Sequence, residues 1–161
     1  PVDRGALMCY NVGNLKKPGT QNSILEAALA EKYLSHMDTY PLPLDIALPL
    51  FSWSLLFRSG QFVGILRDVD VADIQQSNLF RKTDDGRYTC GQDTAWRGQQ
   101  FRQGDVIRYE ASERQDLQEV AAYTSQHVHN DSLRVIFFSC DSITLSKQSV
   151  HELEKVLDCY R

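Results

Sequence analysis

Leu133-Arg134-Val135-Ile136-Phe137-Phe138, followed by Ser139-Cys140-Asp141-Ser142, is the stretch on which the fold turns. A short, nearly unbroken apolar run bounded by polar turn residues has the composition of a parallel strand covered on both faces. On its C-terminal side, after Ser146, Val150, Leu153, Leu157 and Tyr160 recur at helical spacing, which predicts an amphipathic closing helix. On its N-terminal side Ser112 opens a second helix that gathers Leu117, Val120, Ala121, Thr124 and Val128 on one face.

The same alternation extends towards the start of the chain. Ala6-Leu7-Met8-Cys9-Tyr10 is an apolar run that ends in Asn11, Gly13, Asn14, Pro18 and Gly19, the pattern of a buried strand entering a loop. Ser23, three residues before Glu26, predicts a capping-box start to an alanine-rich helix reaching about Met37, closed by Tyr40-Pro41-Leu42-Pro43. Residues 44–57 form a second core strand, with distortion expected at Pro49 because proline cannot donate to a ladder. Arg58-Ser59-Gly60-Gln61 then turns into a shorter strand over 62–66. From 67 to 110 the periodicity weakens into turns and short β-like pieces, 87–90 and 106–110 among them.

The order strand, helix, strand, insertion, helix, strand, helix predicts an α/β protein of parallel β/α units with helices outside. A full (β/α)8 TIM-type barrel takes about 250 residues, more than the 161 present. The chain is therefore read as the last three strand-helix units of such a barrel with a small α+β insertion, or as a small open sheet carrying that insertion. The opening Pro1-Val2-Asp3-Arg4-Gly5, without methionine, favours the former. The expected division is 1–66 and 111–161 as β/α units with 67–110 as the insertion.

Composition narrows the functions. With 42% hydrophobic and 24% charged residues the chain has the makings of a core, and a net charge of −4 with scattered Lys and Arg gives no phosphate-neutralising stripe, so no nucleic-acid partner is expected. The longest apolar stretch, 42–57, is broken by Pro43, Asp45, Pro49, Ser52 and Ser54, so no membrane span is expected. Cys9, Cys90, Cys140 and Cys159 lie too far apart for a C-x-x-C metal or redox pair. His127 and His129 point apart on a helix, and no phosphate-cradling glycine loop occurs, so no metal and no cofactor is expected.

In parallel α/β folds the residues just past the carboxyl ends of strands line the site. That rule selects Tyr10 and Asn11, then Ser52, Trp53 and Arg58, then Ser139 and Asp141. Tyr10-Asn11 offers a phenol and an amide to a polar ligand, or equally a strand anchor and a turn. Trp53 has a face suited to a sugar ring, although a tryptophan in an apolar run is more often core. Asp141 is placed as a ligand-binding carboxylate or, more simply, as a helix cap. Asp68, Asp70 and Asp73 lack the spacing of a calcium loop and are read as surface. Tyr88, Trp96 and Phe101 fit a small core within the insertion better than an exposed docking patch.

At these strand ends the sequence resembles the closing portion of the family 18 glycoside hydrolases, chitinase-like (β/α)8 barrels. Met8-Cys9-Tyr10-Asn11 is similar to the M-x-Y-D or M-x-Y-N of their sixth strand. Ala47-Leu48-Pro49-Leu50-Phe51-Ser52 looks like a degenerate G-x-P-x-Y-G of the seventh, and Phe138-Ser139-Cys140-Asp141 resembles the W-S-x-D of the eighth, with phenylalanine for tryptophan. Pro1-Val2-Asp3-Arg4-Gly5 and the run 42–49 are also similar to segments of bacterial barrel proteins. The resemblance implies a chain that binds or hydrolyses a polysaccharide or oligosaccharide. Tyr10 would hydrogen-bond the substrate acetamido group as the catalytic carry-over, with Asn11, Trp53 and Asp141 binding substrate. The general acid, on a D-x-x-D-x-D-x-E fourth strand, would lie upstream of Pro1, in the N-terminal part of the barrel with which this chain would pair. The alternative is a non-catalytic carbohydrate- or protein-binding domain.

Overall fold

In chain order the elements are β1 (Gly5–Met8), α1 (Ala27–Leu34), β2 (Leu44–Pro49), β3 (Ser52–Arg58), β4 (Gln61–Leu66), α2 (Val71–Gln76), β5 (Phe80–Lys82), β6 (Tyr88–Cys90), β7 (Thr94–Trp96), β8 (Gln99–Phe101), β9 (Val106–Ala111), α3 (Arg114–His127), β10 (Val135–Phe138), α4 (Ser142–Ser146) and α5 (Val150–Asp158). They are taken from a computed structural model, which describes residues 2–128, 130, 132–139 and 141–161. His129 and Cys140, both singled out in the sequence, lie outside the described residues. The chain divides into two units: residues 1–13, 22–51 and 111–161 form the first, and residues 14–21 with 52–110 form the second.

The first unit is the expected parallel sheet, ordered β1-β2-β10. Register sets Met8, Ala47 and Ile136 in one row across the sheet, and Leu7, Ile46 and Val135 in the next, on the opposite face. Only the central strand β2 is buried along its whole length. The expectation that 133–138 is covered on both faces fails: β10 begins at Val135 and alternates, leaving Ile136 40% and Phe138 48% exposed, with Met8 on β1 at 63%. The physical reason is position. Strands β1 and β10 are the sheet edges, and α3 packs on β2 and against α1 and α5.

At the amino end of the sheet the Arg4 guanidinium donates to the Asp45 carboxylate (2.6 Å), to the Ser132 carbonyl (2.9 Å) and to the Ser132 hydroxyl (2.6 Å). The Arg134 N–H donates to the same Asp45 oxygen at 3.2 Å. One buried carboxylate thus ties the entries of all three strands, which explains why a charged residue sits in the fully buried β2.

Two helix starts differ from expectation. Helix α1 begins at Ala27, after Glu26, with no side-chain cap. Asn22, not Ser23, accepts from the Ile24 N–H at 3.0 Å, and the distant Asp116 accepts from the Ala27 N–H at 3.0 Å. Ser112 does not cap α3: Glu113 holds the N-cap position, and the Ser112 hydroxyl donates to the Phe51 carbonyl, across the points where the chain leaves and re-enters this unit. Helix α3 buries Leu117, Val120, Ala121 and Thr124 as its periodicity predicts. Helix α5 rotates from its expected face: Val150 is 74% exposed and Val156 is the buried position.

The second unit is a five-stranded sheet ordered β4-β3-β9-β6-β5, with a separate β7-β8 hairpin. The β3-β4, β5-β6 and β6-β9 pairs are antiparallel. The 44–57 run is therefore not one strand. Pro49 closes β2, and Ser52 starts β3 in the other sheet. Ser59 and Gly60 turn the β3-β4 hairpin with φ of 48° and 74°, the pair of positive values a type I′ turn requires. The boundary expected at 66/67 moves to 51/52, because Leu56 and Leu66 pack in one core with Ile74, Tyr88, Phe101 and Ile107. Trp96 packs beside that core against Phe80 and Phe101, so these aromatics serve the interior. Asp70 caps α2 in a capping box with Asp73, which also pairs with Arg97. That gives two of the three clustered carboxylates a structural task.

Two ion pairs, each with a buried carboxylate, hold the second unit together. The Arg108 guanidinium donates to Glu110 (2.6 Å) and to the carbonyls of Leu15 (2.9 Å), Lys17 (2.7 Å) and Pro18 (3.2 Å), and lies 4.8 Å over the Phe57 ring. Glu110 in turn accepts from the Trp53 indole N–H at 2.7 Å. Arg58 forks onto Asp105 with bonds of 2.9 and 2.7 Å. Burial alone would raise the Asp105 carboxyl, but the Arg58 guanidinium and the Arg102 N–H more than offset it and hold the carboxyl below its usual range.

Removing one partner of a buried, hydrogen-bonded pair leaves an unpaired charge. Arg108→Met is expected to lower stability by about 3 kcal/mol in urea unfolding followed by Trp fluorescence. Because the folded Asp105 value is depressed, its stabilisation is full above the pKa of an unfolded aspartate and is lost as the pH falls through the folded value. Asp105→Asn is therefore expected to flatten the acid limb of a stability-against-pH curve.

Candidate functional site

Three aromatic side chains meet at the carboxyl end of the parallel sheet. Tyr10 stands just past β1, Phe51 just past β2, and Phe138 closes β10. Tyr10 and Phe138 stack with ring centroids 5.6 Å apart and planes 3° from parallel. Phe51 meets both edge-on, at 5.8 Å from Tyr10 and 6.0 Å from Phe138. These are the offset-stacked and T-shaped geometries that the ring quadrupole favours. The trio follows from parallel pairing, since three neighbouring strands running the same way deliver their last residues to one end.

The backbone around Tyr10 is fixed by its neighbours. The Cys9 N–H donates to the Ala47 carbonyl (2.9 Å), extending the ladder past the strand end, and the Asn11 N–H donates to the Ile24 carbonyl (2.7 Å). Asn11 itself has φ of 58°, a left-handed conformation that asparagine tolerates better than most residues, and its side chain is exposed. Cys9 is buried, and burial pushes its thiol up to about 12, which keeps it an unreactive thiol at ordinary pH. Partial burial raises the Tyr10 phenol above its ordinary value, with the Cys9 thiol adding to the effect.

Asp141 follows β10 at the same end as Tyr10. It caps α4: one carboxylate oxygen accepts from the Thr144 N–H (2.8 Å), the other from the Ser139 hydroxyl (2.7 Å) and the Thr144 hydroxyl (2.8 Å). Trp53 belongs to β3 of the second unit, where its indole serves Glu110, and Arg58 serves Asp105 there. Of the residues selected from the sequence, Tyr10, Asn11, Ser139 and Asp141 thus share one sheet end. Phe51 and Phe138 join them there. Phe138 is visible in the sequence as the last residue of an apolar run, whereas Phe51 falls inside the strand expected at 44–57, and their mutual contact depends on register, which spacing alone does not fix.

Among the described residues no group of three or more His, Cys, Asp or Glu side chains converges as a metal site. His127 donates its Nδ1–H to the Tyr123 carbonyl (2.7 Å) and stacks on the Tyr123 ring. No helix among the described residues is long and apolar enough to cross a membrane.

No family profile matches the sequence, and no curated protein matches it. Among solved structures, a chitinase from Chromobacterium violaceum is similar at a TM-score of 0.47 and 13% identity, over 96% of this chain and 45% of that one. This chain therefore spans less than half the length of that chitinase chain.

A difference titration at 295 nm, wild type minus Tyr10→Phe, is expected to show the Tyr10 phenol ionising at higher pH than free tyrosine. A midpoint at or below the free value would show that the phenol is not shielded in the trio.

Proposed function

We propose that the carboxyl end of the parallel sheet is part of a polysaccharide-binding face, with the first unit forming the closing three β/α units of a (β/α)8 barrel. The observation that carries the reading is the Tyr10, Phe51 and Phe138 trio, with Phe138 half exposed at the sheet end. Aromatic faces suit the apolar side of a sugar ring, and polar groups beside them fix its orientation. Asn11 supplies an exposed amide and Tyr10 a phenol that stays protonated, able both to donate and to accept. Asp141 shapes the rim through Ser139 and Thr144, two hydroxyls it orients. The motifs that resemble family 18 at Tyr10 and Phe138 support the same assignment.

The function proposed for these residues is binding and positioning. In the reading taken from the resemblance, Tyr10 orients an acetamido group, and hydrolysis requires a general acid on a strand outside this chain. Trp53 is not counted in the face because it belongs to β3 of the second unit, where its indole N–H donates to Glu110. A protein-docking surface on Tyr88, Trp96 and Phe101 is disfavoured, since Tyr88 and Phe101 are buried.

The test is isothermal titration with oligomers of N-acetylglucosamine, glucose and xylose. Binding of one series is expected, weakened about tenfold, or roughly 1.4 kcal/mol, by Phe138→Ala and by Tyr10→Ala. Absence of binding across all three series, or affinity unchanged in both variants, would overturn the proposal.

A further inference from the structure

The second unit contains a cavity of about 440 Å³ that the Tyr10 trio does not touch. Its floor is the sheet itself: Phe57 on β3, Thr89 on β6 and Val106 on β9, with Thr89 and Val106 directly paired in register. Its walls are Gly60 of the β3-β4 turn, residues 83–85 and Arg87 of the β5-β6 turn, and Pro18 of the loop 14–21.

These walls are held in place before any ligand arrives. Arg87 pairs with Asp85 and donates to the carbonyls of Pro18 (2.8 Å) and Thr20 (3.2 Å). Thr83 closes the β5-β6 turn, its N–H donating to the Arg87 carbonyl at 2.8 Å and its hydroxyl donating to Asp85. Arg108 fixes Lys17 and Pro18 from below. A cavity walled by hydrogen-bonded turns costs little ordering when a ligand enters.

The lining chemistry restricts the ligand. Pro18, Phe57 and Val106 are apolar. The one cation, Arg87, is spent on Asp85 and on two carbonyls, which disfavours an anionic ligand. Two polar groups remain open: the Asp84 carboxylate and the Thr89 hydroxyl take no hydrogen bond among the described residues. An acceptor and a donor-acceptor pair beside an apolar floor match a neutral ring compound with one apolar face and several hydroxyls.

We propose that this cavity is a second carbohydrate site, taking one or two neutral sugar rings with an apolar ring face towards Pro18 and Val106 and hydroxyls on Asp84 and Thr89. It uses none of the residues of the sheet-end face, so either site can fail without the other.

The test is a ¹H-¹⁵N titration of the whole chain with N-acetylglucosamine, cellobiose, maltose and xylobiose at up to about 10 mM, where weak binding is still read. Shifts are expected at the amides of Gly60, Thr83 to Arg87, Thr89 and Val106. They should persist in Tyr10→Ala and weaken at least tenfold in Asp84→Ala and Thr89→Val. Asp84 is exposed, so its loss leaves the fold intact, which the unperturbed remainder of the spectrum verifies. No shifts at these amides with any of the four sugars would overturn the proposal, as would shifts that survive both substitutions. Shifts confined to Asn11 and Phe138 would also overturn it while leaving the sheet-end face standing.

Discussion

Proline has no amide hydrogen, and at Pro49 that missing donor falls where a parallel ladder would otherwise run on. Pro49 still lies opposite Phe138 in register, and the next residue, Leu50, donates its N–H to the Phe138 carbonyl at 2.5 Å. After that the chain leaves the sheet, and Ser52 opens a strand of another sheet altogether. Phe51 is caught at the exit, which is why its ring stands with Tyr10 and Phe138 and not inside a continuous strand. The exit after Pro49 thus marks where the first unit hands over to the second, with Trp53 on the far side of it, while the trio itself rests on the parallel pairing of β1, β2 and β10.

In the second unit the corresponding role falls to charge. Its sheet is small and its core modest, and a fully buried guanidinium would be costly without partners. Arg108 finds them in one carboxylate and three carbonyls, so a loop with no secondary structure of its own becomes part of the unit. Such a pair adds less net stability than its geometry suggests, since desolvation offsets much of the attraction. Its effect is to specify: few other arrangements of residues 14–21 satisfy that cation. The wall that Pro18 gives to the cavity is a by-product of this satisfaction.

Local chemistry made much of the fold legible. A strand within 133–138, the turn at 58–61 and the buried stripe of α3 are written in short-range patterns, and the structure carries all three, the strand shortened to Val135–Phe138. What was not legible depends on partners far along the chain. The α1 start is set by Asn22 and by Asp116, the latter 89 residues away, so the nearby Ser23 and Glu26 mislead. The edge of the second unit is set by Arg108 reaching back to a loop, and an arginine in a strand carries no mark of which carbonyls it will meet. At the candidate site Tyr10, Asn11 and Asp141 were legible singly, as strand-end positions, but Phe51 was hidden inside the strand expected at 44–57, and the stacking of Tyr10 on Phe138 required the register of two strands on either side of β2.

The reach of Arg108 has a consequence for the order in which the chain is made. Its bond to Lys17 spans 91 residues, so segment 14–21 emerges from a ribosome long before the cation that fixes it. Strand β10 likewise arrives after the entire second unit, although it pairs with β2. Each unit therefore waits on sequence that lies beyond the other, and neither is closed by local contacts alone. Folding of that kind is slow relative to chain length, because loop closure precedes the contacts that reward it. The backbone of segment 14–21 therefore lacks the cation that fixes its carbonyls until β9 has been made, and a pause in translation before residue 108 would lengthen that interval.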